Sequence, residues 1–365
     1  MVRQTWRNFD YWLFGSVLLL SVFGIVMIRS AIAGNIELAE HPTRQMVYLG
    51  IAVGVILVAS FIDYHYWASL SRAMYIVTVI ALLVIYVYGQ ARFGSARWLD
   101  TGLFLIQPSE IGKIVILLVL ADYFERTKDR KRDLRWIGGS LALTLGIVVW
   151  IVLQPNLSTS IVIMVLWFSM LWVNGLPLKY LLVLVIGGLI LMAAAFPFLQ
   201  DYQQARIINF FFPDPNARYG DTYNVDQALI AIGSGGLFGQ GYGHGTQVQL
   251  RFLKVRHTDF IFSAMAEEFG MVGTLIVMAL TVFILLRCLR SARLAPDIFG
   301  ATLAYGYTIL IFFQMAVNVG VNLNMVPVTG LTYPFISYGG SSLLSLALGI
   351  GLVESVVSRR KAIEF

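Results

Sequence analysis

Apolar runs of membrane-spanning length follow one another along the chain, separated for the most part by short polar stretches. Ten spans are predicted, at roughly 11–32, 46–62, 70–88, 106–124, 137–153, 158–174, 178–198, 260–286, 298–322 and 337–357. A helix needs about 20 apolar residues to cross about 30 Å of hydrocarbon, and these runs meet that length. One connection is long, 199–259. The expected fold is therefore all-α: a polytopic membrane protein of about ten transmembrane helices, a single transmembrane domain over 1–365 with 199–259 as its large loop.

Composition supports this reading. Of the 365 residues 58% are hydrophobic and 13% charged, with a mean hydropathy of +0.77; soluble domains carry about 25% charged residues. The first apolar run is long enough to span and lacks a small-residue cleavage site, so no cleavable signal peptide is expected. The net charge of +6 is spread over connections between spans, which argues for topology signals rather than nucleic-acid binding. With the N-terminus placed in the cytoplasm, 16 of the 26 Lys and Arg fall on cytoplasmic segments, including the block Arg126, Lys128, Arg130, Lys131, Arg132 and Arg135. Both termini are then cytoplasmic and 199–259 faces outward. Cys288 is the single cysteine, which excludes an internal disulfide. No GxxxxGK[ST], HExxH or GxSxG occurs, and no pair of interrupted spans at matching places in two halves points to an inverted-repeat transporter.

Three stretches carry candidate chemistry. In "RFLKVRHTDFIF", Arg251, Lys254, Arg256 and His257 crowd toward Asp259 at the head of the eighth span. Asp259 is either the N-cap of that span or a base beside an anionic phosphate ligand. In "IQPSEIGK", Pro108 and Ser109 mark a helix entry, and Glu110 and Lys113 share one helical face. They form a self-neutralising structural pair or the wall of a polar cavity. Just upstream lie Arg97 and Trp98. In "NMVPVTGLTYPFISYGGSS", Pro327, Gly330, Pro334, Gly339 and Gly340 rule out a regular helix. Such backbone is tolerated at membrane depth only under protein or water cover. Ser337, Ser341, Ser342 and the glycine amides can bind a polar ligand there, or the segment is a packed re-entrant turn.

Together these stretches resemble the SEDS family (shape, elongation, division and sporulation proteins), most of all its rod-shape members. "QPSEIGK", "HTDFIFSAMAEEFGMVG" and "PVTGLTYPFISYGGSS" each match the family pattern, in order, and the resemblance covers essentially the whole chain. "QPNLSTS" at 154–160 departs from it: Asn156 and Ser158 stand where the family often has Asp and Gly, so no catalytic carboxylate is assigned there. The resemblance implies a peptidoglycan glycosyltransferase that polymerises lipid II on the outer face of the cytoplasmic membrane during cell elongation. It would work with a class B penicillin-binding protein and the elongation machinery. It also implies that Asp259 is the catalytic carboxylate, that Glu110 and Lys113 line the central cavity, and that Arg97 and Trp98 are functionally sensitive. The chemistry needs a base for the acceptor hydroxyl and positive charge on the undecaprenyl pyrophosphate. Asp259 suits the first; Lys113, Arg251, Lys254 and Arg256 suit the second, with or without a divalent metal (Mg or Mn). A lipid II flippase and a non-catalytic scaffold for the transpeptidase are the alternatives.

Overall fold

Capping chemistry fixes where several helices begin. The computed structural model describes residues 8–92, 98–100, 105–213 and 220–360. In it α1 (Tyr11–Ala31) starts where Asp10 accepts the Leu13 amide, α5 (Leu134–Leu153) where Asp133 accepts that of Trp136, and α6 (Leu157–Val173) where Asn156 accepts that of Thr159. Each short polar side chain satisfies an amide that the first turn leaves without a partner. In α2 (His41–Phe61) and α4 (Pro108–Arg126) a proline sits in the first turn, where its missing N–H is no loss. Ser109, expected as a cap, lies inside the first turn of α4, and Gln107 holds the cap position. The remaining long helices are α3 (Tyr64–Arg92), α7 (Leu178–Ala195), α11 (Ile261–Leu294), α12 (Ile298–Asn322) and α13 (Gly340–Ser358). A two-residue hairpin, β1 (Leu99–Asp100) with β2 (Leu105–Ile106), precedes α4.

Eight of these helices are long and apolar enough to cross a membrane. α4 and α6 stand at the other two predicted positions; α6 is short, at 17 residues, and α4 carries charges. The chain is thus all-α and multi-pass, as its hydropathy predicts. α4, α12 and α13 form the centre, with α13 packed along α2. That packing is close: a Cβ on Gly351 would lie 2.6 Å from the Ala59 Cβ. Small residues at such contacts let helix backbones approach where lipid offers no hydrophobic drive. α7 buries none of its residues and is apolar on every side, as a helix facing lipid must be. At one end of the bundle Arg287 meets Asp10 at 2.5 Å and Arg359 meets Asp63 at 3.2 Å. Arg287 lies on α11, which runs on to Leu294, past the predicted end of the span at 286.

The long connection is largely helical: a short 3-10 turn (Phe196–Phe198), then α8 (Asp201–Phe211), α9 (Gly220–Gly235) and α10 (Thr246–Gln249). After α9 its glycine-rich loop enters α11, which breaks at Gly270 (φ 67, ψ −169). The break would strand backbone groups at membrane depth, and the loop satisfies them. Gln240 and Gly241 donate to the Glu267 and Glu268 carbonyls at 2.9 and 3.0 Å. Met271 and Val272 donate to the Gly236 and Leu237 carbonyls at 2.9 and 3.0 Å. The Glu267 carboxylate turns back to receive the Gln247 and Val248 amides at 2.7 and 3.1 Å. This interrupted helix was not predicted from the sequence. At Gly270 a Cβ would stand 2.3 Å from the Gly239 nitrogen, and the positive φ already disfavours any other residue. Gly270→Ala is expected to cost at least the ~1–2 kcal/mol of a left-handed non-glycine residue. A lower melting temperature of the detergent-purified protein checks this; unchanged melting would mean the loop is not seated in the break.

Candidate active site

The segment 257–259 reaches the end of the bundle as irregular backbone just before α11, and its three carbonyls are all engaged. Tyr338 N–H donates to the His257 carbonyl at 2.9 Å, and Ser337 Oγ donates to that of Thr258 at 2.7 Å. The Asp259 carbonyl receives Nδ2 of both Asn318 (3.0 Å) and Asn322 (2.9 Å), from successive turns of α12. The Asn322 Oδ1 in turn accepts the Ser263 amide at 3.0 Å, so the start of α11 is capped from a neighbouring helix. Phe260 occupies the N-cap position and makes no side-chain cap bond. Asp259 therefore does not cap α11, and its carboxyl is left for other work. One wall beside it is Gly330 (φ 76), where a Cβ would be 3.7 Å from Asp259 Oδ2.

Cations beside Asp259 would lower its pKa. Burial instead pushes its pKa up to about 6, and the cation acting against that shift is Arg206 of α8, with Asp221 of α9 acting in the opposite sense. Arg206 binds Asp221 at 3.0 Å. Both line a small open cleft with Asn209, Asn324 and Pro327, between α8, α9 and the 324–328 stretch. Sequence reasoning missed Arg206 because it lies far upstream of the motif in the long connection.

The cations nearest Asp259 in sequence go elsewhere. Arg256 is buried and donates to the Ala31 carbonyl and, at 3.1 Å, to Leu253; Arg251 donates to the Gly34 carbonyl. Both guanidiniums fasten the loop to the end of α1, a favourable place for cations. Lys254 is exposed. His257 meets the His41 ring edge-on and lies tilted to that of Tyr338, and burial drives its pKa down to about 4, which leaves it neutral. Trp98 is exposed ahead of β1, and Arg97 lies outside the described residues.

The head of α4 carries the second part of the site. Lys113 Nζ is fully buried and 2.8 Å from Glu110 Oε2, and among the described residues no oxygen meets it at hydrogen-bonding angles. Ser345 Oγ of α13 reaches Glu110 at 3.4 Å. Ser341 Oγ accepts the Gln107 amide at 3.0 Å, and Gly339 N–H donates to Gln45 at 3.3 Å. Gly340 lies against the Tyr48 ring, 2.5 Å from where a Cβ would sit. Ser337, Gly339, Gly340 and Ser341 thus act as fasteners of a packed turn that joins the Asp259 segment to the head of α4. Ser158 adds a bond to the Thr329 carbonyl, so the 154–158 turn, like Asn156, serves structure. Among the described residues no group of three or more His, Cys, Asp or Glu is placed to hold a metal, so no step is routed through one.

The chain matches the pattern of the FtsW, RodA and SpoVE cell cycle proteins over residues 11–362. It is 36% identical to the peptidoglycan glycosyltransferase MrdB of Escherichia coli K12, with 94% of this chain and 92% of that protein covered. It is 36% identical to the probable peptidoglycan glycosyltransferase FtsW of Hydrogenovibrio crunogenus, covering 97% and 92%. Among solved structures, it superposes with a TM-score of 0.81 on a chain from a study of how a peptidoglycan synthase complex coordinates polymerization and crosslinking. That match has 30% identity and covers 96% of this chain and 97% of the other. It superposes with a TM-score of 0.71 on the rod shape determining protein RodA of Thermus thermophilus, 31% identical, covering 97% and 98%.

The Glu110–Lys113 pair can be tested by its asymmetry. Glu110→Gln or Lys113→Met alone leaves a buried charge without its partner, which typically costs about 3–5 kcal/mol, whereas removing both can be nearly neutral. Single variants are expected to melt earlier and the double variant to recover. Equal melting of all four proteins would remove the pair from the list of structural constraints.

Proposed function

The chain belongs to the FtsW, RodA and SpoVE family of cell cycle proteins, the SEDS family of the sequence reading, and from that premise we propose how it polymerises peptidoglycan. It is a membrane-embedded peptidoglycan glycosyltransferase, joining disaccharide-peptide units from lipid II into glycan strands, and acts as one integral domain. The observation that carries the site assignment is Asp259: a carboxyl at the bundle end, freed from capping, its backbone held at three consecutive carbonyls.

Asp259 takes the proton of the acceptor sugar hydroxyl as that oxygen attacks the anomeric carbon of the donor. The bond to undecaprenyl pyrophosphate breaks in the same displacement, so the configuration inverts. A pyrophosphate is a good leaving group, and a strong general acid is unnecessary. Its developing charge needs cations. Lys113, whose ammonium meets no oxygen at hydrogen-bonding angles among the described residues, supplies one, and Arg206 acts on the Asp259 side. Arg251 and Arg256 contribute by fixing the loop, since their guanidiniums hold the end of α1. The site faces the extracytoplasmic side, and a class B penicillin-binding protein crosslinks the strands in a shared complex. The structural match to a synthase-complex chain supports that partnership.

A base must be ionised to work. With the Asp259 pKa near 6 in the folded protein, turnover should rise as pH increases through about 6 and level off above it. Arg206→Gln removes the largest influence that lowers this pKa, so the midpoint should move to higher pH. A midpoint that stays or falls would separate Arg206 from Asp259. Asp259→Asn should fold, bind lipid II and lose about 10²–10⁴ in rate, the usual worth of a general base. The assay is strand formation from lipid II in detergent, where no second compartment exists and flipping has no meaning. Near-normal polymerisation by that variant would sink the assignment.

A further inference from the structure

Two buried asparagines of α12 stand directly behind the proposed base. Asn318 and Asn322 are four residues apart and therefore share one helix face. They are 1% and 0% exposed. Asn318 Nδ2 does two things at once: it donates to the Asp259 carbonyl at 3.0 Å and to the Leu331 carbonyl at 2.8 Å. Leu331 follows Gly330, the residue that flanks the Asp259 carboxylate. One amide thus ties the base's own backbone to the wall beside its side chain. Asn322 Nδ2 repeats the contact to Asp259 and braces Asn318 by its carbonyl at 2.8 Å. Its Oδ1 accepts Ser263 N–H and Oγ–H at 3.0 and 2.5 Å, which sets the start of α11 against the same frame.

We propose that Asn318 and Asn322 are positioning residues for the glycosyl transfer: their side-chain amides hold the Asp259 carbonyl, and Asn318 also the Gly330–Leu331 turn, so that the carboxylate meets the acceptor hydroxyl in register. The inference rests on Asp259 being the base. Neither asparagine touches the reacting atoms. Without the Asn318 bridge, Asp259 and its wall can separate, and a misplacement of about 1 Å can cost about 10²-fold in rate. Water then also reaches the carboxyl, and the burial that raises its pKa is relieved. The charged groups that act on Asp259, Arg206 and Asp221, lie on α8 and α9 and are unaltered by either change.

The test uses the full chain in detergent with lipid II as substrate. Asn322→Asp keeps an oxygen for Ser263 while losing the donor to Asp259, and Asn318→Leu removes the bridge without adding charge. Both are expected to lower kcat by about 10–100-fold, within the range of such misplacement, with KM for lipid II changed little. In Asn318→Leu the pH midpoint should also fall below that of the parent. Unchanged kcat and midpoint in a folded variant would overturn the proposal, as would losses of kcat, KM and melting temperature that run in parallel. Should Asn318→Leu not fold, the kcat and KM of Asn322→Asp decide alone. Asp259→Asn, measured alongside, separates the two ideas. If it remains active, the base reading fails and the positioning role goes with it. If it is dead while the asparagine variants turn over normally, only the positioning role fails.

Discussion

Backbone that leaves the helix inside a membrane must find hydrogen-bond partners within the protein, and that constraint shapes every feature of the site. A stranded peptide group in hydrocarbon costs several kcal/mol, so a non-helical segment can exist there only if other segments are built to meet it. Three such segments meet here: the break at Gly270, the 257–259 stretch and the turn from Pro327 to Gly339. The glycine-rich loop after α9 answers the first, with four backbone bonds across the gap. The second and third answer each other, and α12 supplies the two asparagines that neither could provide. The rigidity of the site is therefore a by-product of solvation: the groups that position Asp259 are the ones the bilayer will not hydrate.

That logic also explains how much could be read from the sequence. The ten helices were legible because hydropathy and span length are local properties, and errors gathered at the ends. α11 runs past its predicted end, and there Arg287 pairs with Asp10, a partner that no local pattern can reveal. The break at Gly270 was missed for a related reason. A glycine in an apolar run is compatible with an unbroken helix, and only the distant loop that fills the gap makes the break affordable. The Glu267–Glu268 pair two turns into a span was the available signal, since buried carboxylates need partners. The re-entrant turn was visible through its prolines and glycines, but whether its serines bind a ligand or the protein depended on three-dimensional partners. They bind the protein.

Charge was the least legible property. Arg251, Arg256 and Asp259 sit within nine residues, and proximity in sequence suggested one electrostatic unit. In an irregular loop, neighbours along the chain need not face the same way. The guanidiniums turn to the carbonyls at the end of α1, where the helix dipole and orphan acceptors favour them. The carboxyl instead feels the charge of Arg206 on α8, opposed by Asp221 on α9. Neighbours in the basic cluster thus separate: Arg251 and Arg256 hold the loop, while Lys254 stays exposed.

The balance struck at Asp259 follows from the same division. Had Arg251 and Arg256 closed on the carboxylate, its pKa would have dropped below the usual carboxylate range and its basicity with it. A base is most effective when its pKa lies near the operating pH, because it is then both ionised and willing to take a proton. Burial raises Asp259 toward that range, and a single cation, itself half-neutralised by Asp221, keeps it from rising further. Anchoring the other arginines on α1 keeps their charge off the Asp259 carboxyl. Under the proposed function, Lys113 of α4 supplies the charge that the leaving pyrophosphate needs, and its pairing with Glu110 keeps that charge tolerable in the core.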